Sequence, residues 1–235
     1  MKIPTALFAP LLALASLPTL SASTPLPSWY GEPGTTRQGF RFSTSSQPPV
    51  PEISENPYGT ATSQVVLGAF AAGYQSPDDE FATNGVLKDG AWDLGVAGSF
   101  SMACKIAASA PAPGETYRVD FLIYAVYYLD APMIQPPWLD TLGLTAQDLA
   151  VSTETVGDDG FRPYVGKTWT GYFSGVSGDG ISVAVRVPTV TSGTKPTSVL
   201  DTFEVFTRVA VVPEPAVPLL AGLTAVFWIV CRKRS

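Results

Sequence analysis

The sequence predicts an all-β protein, an antiparallel β-sandwich of the jelly-roll or immunoglobulin-like kind. Three observations carry that expectation. Apolar residues recur with period two over most of the chain from Ala61 onward, the spacing of half-buried strands. The 235 residues include 21 glycines and 22 prolines, which favour short strands and turns over long helices. Only one segment, Thr145-Ala146-Gln147-Asp148-Leu149, has the spacing of a helix N-cap followed by an acid, so one short helix is expected there.

Taken in chain order, residues 1–23 read as a leader and 24–60 as a Pro/Gly/Ser-rich segment. Residues 61–211 read as the sandwich and 212–235 as a tail. The segment after Thr24 holds Pro25, Pro27, Pro33, Pro48, Pro49, Pro51 and Pro57, so it should be extended, with an edge strand at Gly39–Ser43. Its aromatic residues, Trp29, Tyr30, Phe40 and Phe42, suggest that it packs onto the domain.

Strands are then expected at Gln64–Phe70, Ala91–Leu94 and Ser99–Ile106. The longest is Thr116–Leu129. There Tyr117, Val119, Phe121, Ile123, Ala125 and Tyr127 point one way, while Leu122, Tyr124, Val126 and Tyr128 make the other face apolar too. This predicts a central strand covered on both sides. A weaker strand follows at Ala150–Val156, then Lys167–Ser174 with Trp169 and Phe173 on one face. Ile181, Val183, Val185 and Val187 alternate with smaller or polar residues, and Phe203 to Val211 form the last strand. Turn residues separate the runs, as at Pro111-Ala112-Pro113-Gly114 and Gly178-Asp179-Gly180.

Charge and residue types exclude several functions. Of 14 basic residues, Lys2, Arg232, Lys233 and Arg234 lie in the termini. Ten therefore face 20 acids between Thr24 and Pro215, a net of −10. Such a surface repels phosphate backbones, so no nucleic-acid partner is expected. There is no histidine, which rules out a Ser-His-Asp triad, a Cys-His dyad and any His-ligated metal. Of two cysteines, Cys231 sits in the terminal apolar run, leaving Cys104 alone in the ectodomain and no disulfide within it. Cys104 shares the face of Phe100, Met102 and Ile106, so it reads as a core thiol.

The two ends carry the clearest message. Lys2, the apolar run Ala6–Leu20 and the small residues Ser21-Ala22-Ser23 follow the order of a secretory signal peptide, with cleavage expected near Ser23. At the other end stand Val212-Pro213-Glu214-Pro215, an uncharged apolar run from Ala216 to Cys231, and Arg232-Lys233-Arg234. The basic end predicts a cytoplasmic terminus, which agrees with an exported ectodomain. Sixteen apolar residues are short against the roughly 20 of a full transmembrane helix. Snorkelling of Arg232 and Lys233 can make up the difference.

Pro-Glu-Pro, a short hydrophobic helix and an Arg-rich end together resemble the PEP-CTERM sorting signal. The resemblance covers Val212–Ser235, about a tenth of the chain. It implies an exosortase as partner, after the secretion machinery and signal peptidase. It also implies transient anchoring in the membrane and delivery to the cell surface or exopolysaccharide matrix. The segment Gly90-Ala91-Trp92-Asp93-Leu94-Gly95, after Asn56-Pro57-Tyr58-Gly59, loosely resembles other ectodomains of such proteins and implies no activity.

Candidate chemistry in the ectodomain is sparse. The acidic pairs Asp78-Asp79 and Asp158-Asp159 are candidate calcium ligands, since calcium takes carboxylate and carbonyl oxygens. Neither follows the EF-hand spacing, and solvated turn residues explain them more simply. Trp138, in Pro136-Pro137-Trp138-Leu139-Asp140, sits in a proline-rich loop and is the candidate carbohydrate contact. Trp92 and Trp169 fall in strand patterns and read as core. The expectation is therefore a non-catalytic exported surface or extracellular-matrix protein. The alternative is a carbohydrate-binding module adhering to exopolysaccharide, and the third reading is a carboxylate-dependent hydrolase.

Overall fold

The period-two runs fold as strands, twelve of them among the described residues. The computed structural model describes residues 24–76, 89–129, 137–158, 163–188 and 198–213. The strands are β1 Thr35–Phe40, β2 Ile53–Glu55, β3 Thr62–Val66, β4 Gly73–Gln75, β5 Ala91–Asp93 and β6 Ser99–Lys105. They continue with β7 Glu115–Leu129, β8 Trp138–Asp140, β9 Ala146–Asp158, β10 Pro163–Val176, β11 Gly180–Arg186 and β12 Ser198–Pro213.

All pairings are antiparallel, and they make two sheets, an architecture consistent with a β-sandwich. The larger sheet runs β2-β1-β12-β7-β10-β9, with β5 joined to β12 and β4 to β5. The smaller runs β3-β6-β11-β8. Odd-numbered residues of β7 and even-numbered residues of β6 meet between the sheets. Phe100 of β6 ties the layers together. Its ring packs edge-on against Phe40 at 5.0 Å, Phe42 at 5.2 Å and Phe203 at 5.2 Å. Each such ring contributes about 2–3 kcal/mol by burial alone.

The double-sided character of β7 is present as expected. Phe121 to Tyr128 are all buried. Leu122, Tyr124, Val126 and Tyr128 join a second apolar cluster with Phe206, Tyr164 and Val199 on the outer face of the large sheet. The N-terminal strap covers part of that face, with Trp29 and Tyr30 against the cluster and the Tyr30 ring edge-on to Phe206 at 5.5 Å. Gly166 of β10 is required beneath Tyr124. A Cβ there would stand 2.8 Å from the tyrosine hydroxyl and 2.8 Å from Val156 Cγ1.

Several elements depart from the sequence expectation. Thr145–Leu149 is not a helix, because β9 begins at Ala146 and pairs with Phe173. Five residues cannot sustain an isolated helix, whereas strand pairing packs Ala146 against the core. The register shifts here: Asp148 and Leu149 oppose the single residue Gly171, a β-bulge with Asp148 at φ 49°. Gly171 permits the close crossing, since a Cβ would meet Gln147 O at 2.7 Å. The edge strand expected at Gly39–Ser43 is instead β1, and it is interior, held between β12 and β2. The strand expected over Gln64–Phe70 ends at Val66. Three-residue strands β2, β4 and β8 are too short to show a period and were not anticipated.

Candidate functional site

Strand β12 carries Val212 and Pro213, the first residues of the Val-Pro-Glu-Pro stretch, at its end. Val212 pairs with Thr116 and Pro213 with Glu115 of β7, and Val212 is 40% exposed. The two residues line an open depression of about 550 Å3 with Thr116, Arg118, Tyr172, Ser174 and Gly175. The Arg118 guanidinium lies 3.8 Å from the centre of the Tyr172 ring, and its Nε donates to Asp120 Oδ1 at 3.0 Å. The chain thus leaves the domain in the open, beside a stacked arginine. Glu214, Pro215, Arg232, Lys233 and Arg234 lie outside the described residues, as do residues 1–23 and the apolar run Ala216–Cys231. Among the described residues no helix is long and apolar enough to cross a membrane.

Trp138 does not sit in a loop. It opens β8, an edge strand of the small sheet, and pairs with Arg186 of β11. Its neighbour Leu139 packs on the core, so the strand's alternation turns Trp138 outward, where it is 43% exposed. The next residue on that face, Asp140, takes the Arg186 Nε at 2.5 Å and the Leu142 backbone N–H at 2.8 Å. The backbone donor first, and the guanidinium second, hold its carboxyl below the usual range. Trp92 and Trp169 are buried, as expected. Trp29 is half-buried, with Arg208 5.5 Å from its ring centre.

Of the calcium candidates, only the Asp158 backbone falls within the described residues. Asp158 ends β9, and Asp78, Asp79 and Asp159 lie outside the described residues. Among the described residues no three acidic, histidine or cysteine side chains are placed to hold a metal ion. Cys104 is buried, and burial pushes its thiol up to about 12, the behaviour of a core residue. A second depression of about 570 Å3 opens between β3, β6 and β11, lined by Tyr58, Thr62, Lys105, Leu144 and Ser182 among others. Neither depression is lined by a carboxylate.

The densest polar constellation is one that sequence reasoning missed. Glu204 of β12 is fully buried on the outer face of the large sheet. Its Oε1 accepts from Arg41 Nη2 at 2.6 Å and from Thr24 Oγ1 at 2.8 Å. Its Oε2 accepts from Arg37 Nη2 at 3.0 Å and Nε at 3.2 Å. Arg37 also reaches Glu55 at 3.6 Å, and Glu55 in turn accepts the Tyr30 hydroxyl. A buried carboxylate with four donors is satisfied, and removing one arginine would leave charge stranded at a cost of about 3–5 kcal/mol. The signal was an acid between Phe203 and Phe206 in an otherwise apolar run. Nothing local pointed to Thr24, Arg37 and Arg41 as its partners.

Asp201 lies at the bulge between Leu200 and Thr202 in β12 and is also buried. Burial pushes its carboxyl up to about 7, against the hydrogen bond from Thr202 Oγ1 at 2.8 Å. The Tyr124 hydroxyl, close enough to feel Glu154, Glu204 and Asp201, is buried and has no hydrogen-bond partner among the described residues, and burial raises it strongly. Asp93, in the Gly90–Gly95 segment, is structural. Oδ1 accepts from the backbone of Gly95 at 3.0 Å and Ser198 at 3.3 Å, and Oδ2 from Ala72 at 2.9 Å. One carboxylate thereby fixes three separate chain segments. No family model, curated protein or solved structure matches this chain.

Proposed function

We propose that the chain is a non-catalytic exported surface or extracellular-matrix protein of PEP-CTERM type, directed by an N-terminal signal segment and sorted by an exosortase through its C-terminal tail. Its ectodomain is a β-sandwich of the jelly-roll or immunoglobulin-like kind. The tail's apolar run is a transient transmembrane helix. The observation that carries this reading is the order of features at the C-terminus: Pro-Glu-Pro, an uncharged apolar run and Arg232-Lys233-Arg234. Its fit with the fold supports it. The motif begins on the exposed last residues of β12, so a cut beyond Pro213 leaves the ladder between β12 and β7 whole.

Adhesion to exopolysaccharide is the weaker alternative. Sugar rings stack best on a strip of exposed aromatic faces, and Trp138, at 43%, is the single exposed tryptophan among the described residues. A hydrolase needs two carboxylates facing a cleft, and neither depression has that lining.

Mass spectrometry of the protein recovered from the envelope and matrix of the native host tests the proposal. A mature species beginning near Thr24 and ending close to Pro215 is expected. An intact tail through Ser235 in the membrane fraction would replace sorting by a simple anchor.

A further inference from the structure

Edges of sheets present unpaired backbone donors and acceptors, and proteins normally blunt them. Four edges among the described residues are blunted by shortness. β2, β4 and β8 have three residues each, and β8 follows Pro137. β3 has five. The edge formed by β9 is different. It is 13 residues long, and Asp148 to Thr155 are all exposed. Leu149 and Val151 are 50% and 51% exposed on the face that elsewhere meets the small sheet. The ladder to β10 is regular from Ala150 to Thr155, with bulges on either side. That stretch has no proline and no lysine, and Glu154 is its only charge.

We propose that β9 is an association edge, where a second copy of this chain adds its own β9 antiparallel about a two-fold axis at Ser152. The two large sheets then become one continuous sheet across the dimer. Charge selects this register. A two-fold through Val151 would set Asp148 opposite Glu154, and one through Thr153 would set Asp148 opposite Asp158. Like charges directly opposite destabilise a strand pair. An axis at Ala150 would bring the Asp148–Leu149 bulges of both copies within two residues of the axis, whereas an axis at Ser152 centres the new ladder on the regular stretch from Ala150 to Thr155. With the axis at Ser152, Val151 faces Thr153, Leu149 faces Thr155 and Glu154 faces Ala150, with no charge against another. The exposed aliphatic side chains of both copies then share one face. One strand edge buries less than a standard permanent interface, so the dimer is concentration-dependent. It suits a protein crowded at a surface. The inference rests on the strand edge and stands apart from the sorting reading.

The test uses the full chain carrying Cys231→Ser, in detergent, so that the apolar tail is the same in every variant. Ser152→Cys should cross-link to a covalent dimer with a short bis-maleimide, and Ser174→Cys, exposed on neighbouring β10, should not. Val151→Lys, which adds the charge that edges normally carry, should cut the cross-linked fraction of Ser152→Cys about tenfold. It should also lower the dimer fraction seen by sedimentation, while the thermal midpoint stays that of the parent. No preferential cross-link at Ser152→Cys, or a dimer that Val151→Lys leaves intact, would overturn the proposal.

Discussion

At the scale of single residues, the molecule concentrates its unusual chemistry on β12. Asp201 and Glu204 are both buried acids, yet they are held in opposite ways. Two guanidinium groups and a threonine hydroxyl satisfy Glu204. Asp201 has only Thr202 as a hydrogen-bonding partner within the strand, and burial lifts its carboxyl to about 7. In an unfolded chain an aspartate titrates near 4. The folded state therefore keeps the proton to a higher pH than the unfolded state. The contribution of Asp201 to stability is fully present below about pH 4. It is lost as pH rises through about 7, by an amount of a few kcal/mol in order of magnitude. Asp201→Asn keeps an acceptor for Thr202 and cannot ionise. Urea unfolding at pH 4 and pH 8 should show the variant gaining on the parent between the two, by most of the lost contribution at pH 8. A gap between variant and parent that does not change with pH would mean that Asp201 does not titrate in this range.

At the scale of elements, alternation made the long strands legible. It located β7 and both of its apolar faces, β11 and the body of β12, because in those strands each side chain's fate follows its parity. It could not find β2, β4 or β8, where three residues carry no period. It found the body of β9 at Ala150–Val156 but failed at the start of that strand, for a physical reason. A bulge interrupts the alternation at Asp148, and the capping-like spacing around it then imitated a helix. Asp148 takes a left-handed backbone conformation that aspartate, asparagine and glycine tolerate and β-branched residues resist. Asp148→Gly should leave stability unchanged or raise it slightly. Asp148→Val should cost about 1–2 kcal/mol by chemical denaturation, since the bulge must hold a strained residue. Equal effects of the two substitutions would show that the bulge is not what positions β9.

At the scale of the whole molecule, two antiparallel layers could be foreseen, but their unequal width could not. Sheet order depends on partners far apart in the chain. Thr36 opposes Thr207 at the N-terminal strand, and Thr24 reaches Glu204. The proposed sorting signal can be read at all for the converse reason, since its parts are adjacent in sequence. Its junction with the fold makes a sharper demand. β12 is an interior strand, paired with β1 on one side and β7 on the other. Its last turn of pairing includes Arg208, whose guanidinium holds Asp120 at 2.7 Å and Glu32 at 2.7 Å. Removal of the tail leaves the fold intact only if the cut falls after this stretch. A chain ending at Pro213 should therefore unfold at the same temperature as the full-length protein. One ending at Thr207 loses the Arg208 bridge and the ladder from Val209 to Pro213, a loss of about 2 kcal/mol, or roughly 4–8 °C in midpoint. Were the chain ending at Pro213 to melt as low as the shorter one, the tail would be part of the folded domain. It could not then be a signal discarded without structural cost.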